Sequence, residues 1–236
     1  MYGKSRLALL LSAGLFFGAL SSSAAHADES AVQRELRHRM EALQAHGRLT
    51  VSGVRITAKR LIAELYPQNR FEPLWTDQRK VDDLLRAIAE IRLDGLDPQD
   101  YYLDPLTKLR AEYEAAPEVG TQVDLDILMT DALARLAYNA FFGKVDPERI
   151  DPNINVNQHW RGARGAEGVR EFLASKSLYE KIEALKPQRP KYQQFRDALA
   201  RYRRYEAAGG WSRIPKGKVL SVGRSDPRVP AIRHRL

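Results

Sequence analysis

The chain has 236 residues, which is enough for one sizeable domain or for a domain with a small appendage. It contains no cysteine, which excludes thiol catalysis, a disulfide framework and lipid attachment at a cysteine. Residues 186–236 hold 14 basic and three acidic residues, a net charge of +11, whereas residues 28–185 hold 22 basic and 27 acidic ones, a net charge of −5. The basic end predicts an anionic partner, with a solvated basic helix as the alternative.

The N-terminus has the pattern of a secretory signal peptide. Lys4 and Arg6 precede the apolar run of residues 7–20, and small residues follow up to Ala27. This pattern predicts cleavage between Ala27 and Asp28, with no stable membrane insertion after the cut. We therefore expect an exported protein of the periplasm or cell envelope. An exported protein rarely meets nucleic acid, so peptide carboxylates and anionic envelope polymers are the anionic partners that we expect.

Apolar residues recur every three or four positions along most of the chain, which predicts a mainly α fold. Helices are expected at about 32–46, 57–65, 76–91, 104–115, 124–142, 171–185, 192–208 and from 226 onward, with a short extended segment at 49–56. Thr57 and Thr76 are predicted to cap two of these helices, and Tyr66-Pro67 is predicted to end the first of the two. The helix at 192–208 is predicted to be basic and amphipathic, with Phe195, Leu199, Tyr202 and Tyr205 facing inward.

The segment 124–152 is the most informative part of the chain. Its helix has an apolar face too broad for a surface helix, formed by Ile127, Leu128, Leu133, Leu136, Ala137, Ala140 and Phe141. The pattern predicts a central helix that Gly143 closes, followed by the Asp-Pro pairs at 146–147 and 151–152.

Residues that carry catalysis are hard to find in this sequence. No serine lies in a recognised nucleophile motif, and the histidines outside the signal have no metal-ligand spacing, so we expect no catalytic residue, metal or cofactor. A glycan-cleaving enzyme remains an alternative, because Glu64 beside Leu65 or Glu171 beside Phe172 can be assigned to a carboxylate pair.

Aromatic residues near loops suggest a binding role instead. We predict that Trp160, Trp211 and Asn157 contact glycan, since aromatic faces stack on sugar rings and amides bind hydroxyl groups. The alternative for Trp75 and Trp211 is that each anchors a loop onto the helical core.

Four segments occur in an order that resembles a known family. They are FEPLW at 71–75, DGLDPQDY at 94–101, TDA at 130–132 with GKVDP at 143–147, and GGW at 209–211 with IP at 214–215 and DPRV at 226–229. This pattern is similar to the N-terminal scaffold domain of the large periplasmic L,D-transpeptidases, which cross-link peptidoglycan. The resemblance covers most of residues 60–236.

The resemblance implies a chain without the reactive part of such an enzyme. In that family a later domain supplies the cysteine nucleophile and a nearby histidine, so no catalytic residue is carried over to this chain. The implied partners are peptidoglycan and the catalytic domain of the parent protein. We expect the chain to be a fragment of a longer protein, because its last helix has few residues to pack against.

These observations predict a layout and leave two alternatives open. The predicted parts are a signal peptide at 1–27, an N-terminal helix and short extended segment at 28–59, a helical scaffold domain at 60–210, and the linker and first helix of a truncated, peptidoglycan-binding-like three-helix module at 211–236. The predicted role is a non-catalytic scaffold in peptidoglycan cross-linking and cell-wall organisation. The alternatives are a stand-alone envelope or peptidoglycan-binding protein and the glycan-cleaving enzyme.

Overall fold

A computed structural model describes residues 29–145, 165–223 and 225–235. The helices are α1 (Ala31–His46), α2 (Lys59–Gln68), α3 (Gln78–Glu90), α4 (Leu103–Ala115), α5 (Val119–Phe142), α6 (Gly165–Ala174), α7 (Leu178–Glu183), α8 (Pro190–Ala207) and α9 (Val229–Arg235). Two 3₁₀ turns, Ile91–Asp94 and Pro98–Tyr101, connect α3 to α4. A two-residue hairpin, β1 (Thr50–Val51) and β2 (Val54–Arg55), pairs antiparallel. The predicted mainly α fold is confirmed.

The long helix α5 lies at the centre of the core, as its broad apolar face predicts. It is buried over most of its length and packs against α1, α2, α3, α4, α6 and α7. Leu36, Met40 and Leu43 of α1 belong to the same hydrophobic core. Burial of this apolar surface supplies the main stabilisation, so α5 is the element on which the others are assembled.

The local signals at helix ends are mostly correct, but two predicted caps are wrong. Ser30 and Gln33 form a reciprocal capping box at the start of α1. α3 is capped by the side chain of Asp77 rather than by Thr76. α2 begins after Ala58, whose side chain makes no cap, and a carboxylate from α5 takes that role in place of Thr57.

The predicted end of α2 at Tyr66-Pro67 is also wrong. The helix includes Pro67 and ends at Gln68, where the backbone N–H of Asn69 bonds to the carbonyl of Leu65. Pro67 lacks an N–H and so removes one helical hydrogen bond, and the helix continues for only one residue beyond it.

The largest difference from the prediction concerns α8. None of its 18 residues, all of them described, is buried, and the side chains of Phe195, Tyr202 and Tyr205 are 63%, 59% and 52% exposed. The helix contacts the 3₁₀ turn Ile91–Asp94 on one side, so the aromatic residues that were predicted to face inward lie on another face. The spacing of the aromatic residues predicts that they share one face of α8, but it does not show whether that face packs against the core.

Candidate functional site

Three polar side chains of α5 are buried, and two of them belong to the TDA segment at 130–132. Asp126, Thr130 and Asp131 are 3%, 0% and 0% exposed in the middle of the central helix. A buried carboxylate is costly unless donors surround it, so the partners of each one define its role.

Asp126 holds the aromatic FEPLW segment onto the core. Its carboxylate accepts hydrogen bonds from the Tyr66 hydroxyl at 2.6 Å and from the backbone N–H groups of Leu74 and Trp75, both at 2.9 Å. The indole N–H of Trp75 donates to the Thr130 hydroxyl at 3.0 Å. Trp75 therefore anchors a loop onto the helical core, which was the alternative to a glycan contact.

Burial has a strong effect on the acidity of this cluster. It raises the pKa of Asp126 from 3.8 to about 6, because desolvation of the carboxylate outweighs the hydrogen bonds from Tyr66, Trp75 and Leu74. The pKa of the Tyr66 hydroxyl is also raised, by burial and by the neighbouring Asp126 charge. A raised pKa is common at catalytic sites, but here the carboxylate oxygens are occupied by structural donors.

Asp131 joins two other segments to the same helix. Its carboxylate accepts from the backbone N–H groups of Thr57, at 3.0 Å, and of Ala58, and so caps α2 from outside. It also accepts from the Tyr102 hydroxyl at 2.7 Å, and Arg135 donates to that same hydroxyl at 2.6 Å. The TDA motif thus fixes the start of α2 and Tyr102, the residue that directly follows the DGLDPQDY segment.

Asp94 forms a third buried joint. Its carboxylate accepts from the Lys186 ammonium at 2.6 Å, from the Tyr192 hydroxyl at 2.8 Å and from Arg196 at 2.9 Å. The side chains of Asp94 and Lys186 are only 3% and 4% exposed. Burial and the Asp94 carboxylate raise the pKa of the Tyr192 hydroxyl. The cluster attaches the first half of α8 to the turn after α3, and sequence reasoning missed it because its members are about 90–100 positions apart.

The carboxylates proposed for glycan cleavage are not in suitable surroundings. Glu64 is exposed and accepts a hydrogen bond from Gln68 one helical turn away. Glu171 pairs with Lys181 at 3.4 Å and its side chain is 53% exposed. Neither lies in the apolar setting that a general acid needs.

Among the described residues, no three or more His, Cys, Asp or Glu side chains lie close enough together to hold a metal ion. His38 and His46 lie two helical turns apart on α1, His234 lies on α9, and His159 is outside the described residues. Among the helices that the structure describes, none has the length and apolarity needed to cross a membrane. The predicted signal at 1–27 with its cleavage between Ala27 and Asp28, and the Asp-Pro pairs at 146–147 and 151–152, also lie outside the described part.

Trp211 lies in an aromatic pocket between α8 and α9. Its ring centroid is 5.8 Å from that of Tyr202 and 5.3 Å from that of Tyr205, and the Arg235 guanidinium lies 5.8 Å from the Trp211 centroid. Ile214 completes one wall of the pocket, whose volume is about 310 Å³. Trp211 remains 40% exposed, so this cluster is accessible to a ligand.

The other predicted glycan contacts, Trp160 and Asn157, lie outside the described residues. The pocket is lined by two aromatic residues, Trp211 and Tyr202, and by one cation, Arg235, which suits a ring with polar substituents better than a purely apolar molecule. The pocket is thus the candidate binding site, whereas the buried carboxylates are structural.

Comparison with known families gives one match. The model of a family described as the scaffold domain matches residues 60–199, from the start of α2 into α8. No curated protein and no solved structure gives a significant match. The first three family-like segments fall inside the matched range, whereas Trp211 and the fourth segment follow it. The match extends over more than half of the chain, and the protein therefore belongs to the scaffold domain family, consistent with the L,D-transpeptidase scaffold that its motifs resemble.

Proposed function

We propose that this chain is the non-catalytic scaffold part of a periplasmic L,D-transpeptidase, acting in peptidoglycan cross-linking. In this role it positions the catalytic domain of the parent protein and presents a surface to peptidoglycan. The observation that carries the proposal is the family match over residues 60–199. The buried joints at Asp126, Asp131 and Asp94 support it, because they hold distant segments in fixed positions without leaving a free reactive group.

The proposed peptidoglycan contact is the aromatic pocket of Trp211, Tyr202 and Tyr205. The apolar CH face of a sugar ring can pack on the face of an aromatic side chain. Arg235, which lines the pocket, can donate hydrogen bonds to hydroxyl or carboxylate groups. Because the pocket lies outside the family-matched range, it also favours the second candidate, a stand-alone peptidoglycan-binding protein.

The test is co-sedimentation of the mature chain with purified peptidoglycan sacculi. Trp211→Ala is expected to weaken binding several-fold without lowering the thermal unfolding temperature, since Trp211 is 40% exposed. Phe195→Ala is the matched control, because Phe195 is an exposed aromatic residue of α8, the helix of Tyr202, and is not among the residues lining the pocket. Equal binding by wild type and Trp211→Ala would refute this contact.

A reconstitution with the catalytic domain of the parent enzyme, supplied as a separate chain, distinguishes the two candidate functions. A scaffold is expected to form a complex with that domain and to increase its cross-linking rate on isolated muropeptides. A stand-alone binding protein is expected to bind sacculi equally well but to leave the rate unchanged.

A further inference from the structure

A second concave surface lies on the opposite side of α8 from the aromatic pocket. It is a groove of about 690 Å³ between α8 and the turn that contains Gly95 and Asp97. This volume is in the range of sites that hold small molecules or short peptides. The aromatic pocket does not share any residue with it.

The groove carries three guanidinium groups. Arg203 donates to the backbone carbonyl of Arg92 and so ties the two walls together. The side chains of Arg92 and Arg204 make no hydrogen bond or ion pair with any residue that the structure describes. Two arginines without a partner in one groove favour a ligand with carboxylate groups, since a guanidinium pairs with a carboxylate through two parallel hydrogen bonds.

Other lining residues narrow the class of ligand. Asp97 contributes a carboxylate, of which one oxygen accepts from the backbone N–H of Gln99 at 3.0 Å. Ala200, Ala207 and the partly exposed Leu93 provide small apolar surfaces. The groove therefore carries three positive charges and one negative charge, and a ligand that has carboxylates together with one ammonium group matches both signs of charge.

The walls of the groove are fixed by contacts already described. Asp94 attaches the turn to α8 through Lys186 and Arg196. Gly95 has φ +83°, and a side chain at this position would lie 3.7 Å from Leu199 of α8. A groove with fixed walls loses little conformational entropy when it binds.

We propose that this groove binds the peptide stem of peptidoglycan, a short peptide of small residues with carboxylates and a diamino acid. The stem carboxylates pair with Arg92 and Arg204, and the ammonium group of the diamino acid lies towards Asp97. The proposal rests on the proposed function, which supplies peptidoglycan as the partner, and it assigns peptide and glycan to opposite sides of α8.

The test uses fluorescence anisotropy with a labelled stem tetrapeptide, Ala–D-Glu–diaminopimelate–D-Ala, and the mature chain. The double variant Arg92→Ala/Arg204→Ala is expected to bind the peptide about tenfold or more weakly, which corresponds to the loss of charge-assisted hydrogen bonds. The control is Arg201→Ala/Arg213→Ala, which removes the same charge from the basic end of the chain but not from the groove. Equal weakening by both double variants would overturn the proposal, because net charge alone would then explain binding.

Two further arms test the recognised chemistry and separate this proposal from the preceding one. An unlabelled stem peptide whose carboxylates are replaced by neutral amides should compete at least tenfold less well than the unmodified peptide, and equal competition would overturn the assignment of the arginines to carboxylate groups. Trp211→Ala should bind the free stem peptide normally. If the wild type binds sacculi through Trp211 but does not bind the stem peptide, the groove assignment fails while the proposed function stands.

Discussion

Replacement of Asp126 by Asn should abolish the part of the pH dependence of folding stability that comes from protonation of the Asp126 carboxylate. The carboxyl has a pKa of about 6 in the folded protein against an ordinary value of 3.8, so the folded state binds its proton more tightly than the unfolded state does. This contribution to stability is fully present below pH 3.8 and is lost as the pH rises through 6. Between pH 4 and pH 7 the wild type therefore loses about 2 kcal/mol that Asp126→Asn does not lose.

The surrounding hydrogen bonds allow Asn at this position. Its carbonyl oxygen can accept from the N–H groups of Leu74 and Trp75, as the carboxylate does. Its amide can donate to the Tyr66 oxygen, while the Tyr66 hydroxyl donates to Thr130, which lies 3.1 Å away. The variant should consequently fold and should gain stability relative to wild type as the pH rises.

The assay is urea unfolding followed by circular dichroism at several values between pH 4 and pH 7. The measured quantity is the difference in unfolding free energy between Asp126→Asn and wild type at each pH. Asp126→Ala is the control: it should show the same trend at a lower stability, because it leaves the donors of Leu74, Trp75 and Tyr66 without an acceptor. A difference that is constant across this range would refute the assignment of the proton to Asp126.

Two further substitutions test the other joints by denaturant unfolding at pH 7. Asp94→Ala should lower the unfolding free energy by about 3 kcal/mol, since the buried Lys186 ammonium then keeps only Glu183 as a carboxylate partner and Tyr192 and Arg196 lose their acceptor. Asp82→Ala breaks an exposed ion pair with Arg110 and should lower the unfolding free energy by less than about 1 kcal/mol. Similar losses in these two variants would contradict the difference expected between a buried and an exposed ion pair. Trp75→Phe should cost about 1–2 kcal/mol, because the indole N–H to Thr130 is lost, and an unchanged midpoint would show that this bond is not formed.

The elements that could be predicted from the sequence depend on local spacing. The apolar face of α5 follows from residues three and four positions apart, and the Gly143 stop lies where the helix ends. The predicted cap Thr76 is one residue away from the actual cap of α3, Asp77. The predicted cap Thr57 is replaced by a carboxylate from α5. The donor at the start of α2 is satisfied by Asp131, 74 positions away from Thr57, and no local pattern encodes such a partner.

The parts that could not be predicted depend on long-range contacts. Nothing in the spacing of Asp94, Lys186 and Tyr192 indicates that they meet, because their pairing arises from the packing of α8 on the turn after α3. The exposure of Tyr202 had the same cause: the sequence shows an aromatic stripe, and only the fold shows that it faces Trp211 rather than the core.

We propose that this chain binds peptidoglycan without changing it chemically. The most direct measurement is liquid chromatography with mass spectrometry of the muropeptides released from sacculi, after incubation with a saturating amount of the mature chain. We expect the chain to sediment with the sacculi and the muropeptide profile to be identical to that of untreated sacculi. New cross-linked dimers, or newly cleaved glycan products, would contradict it.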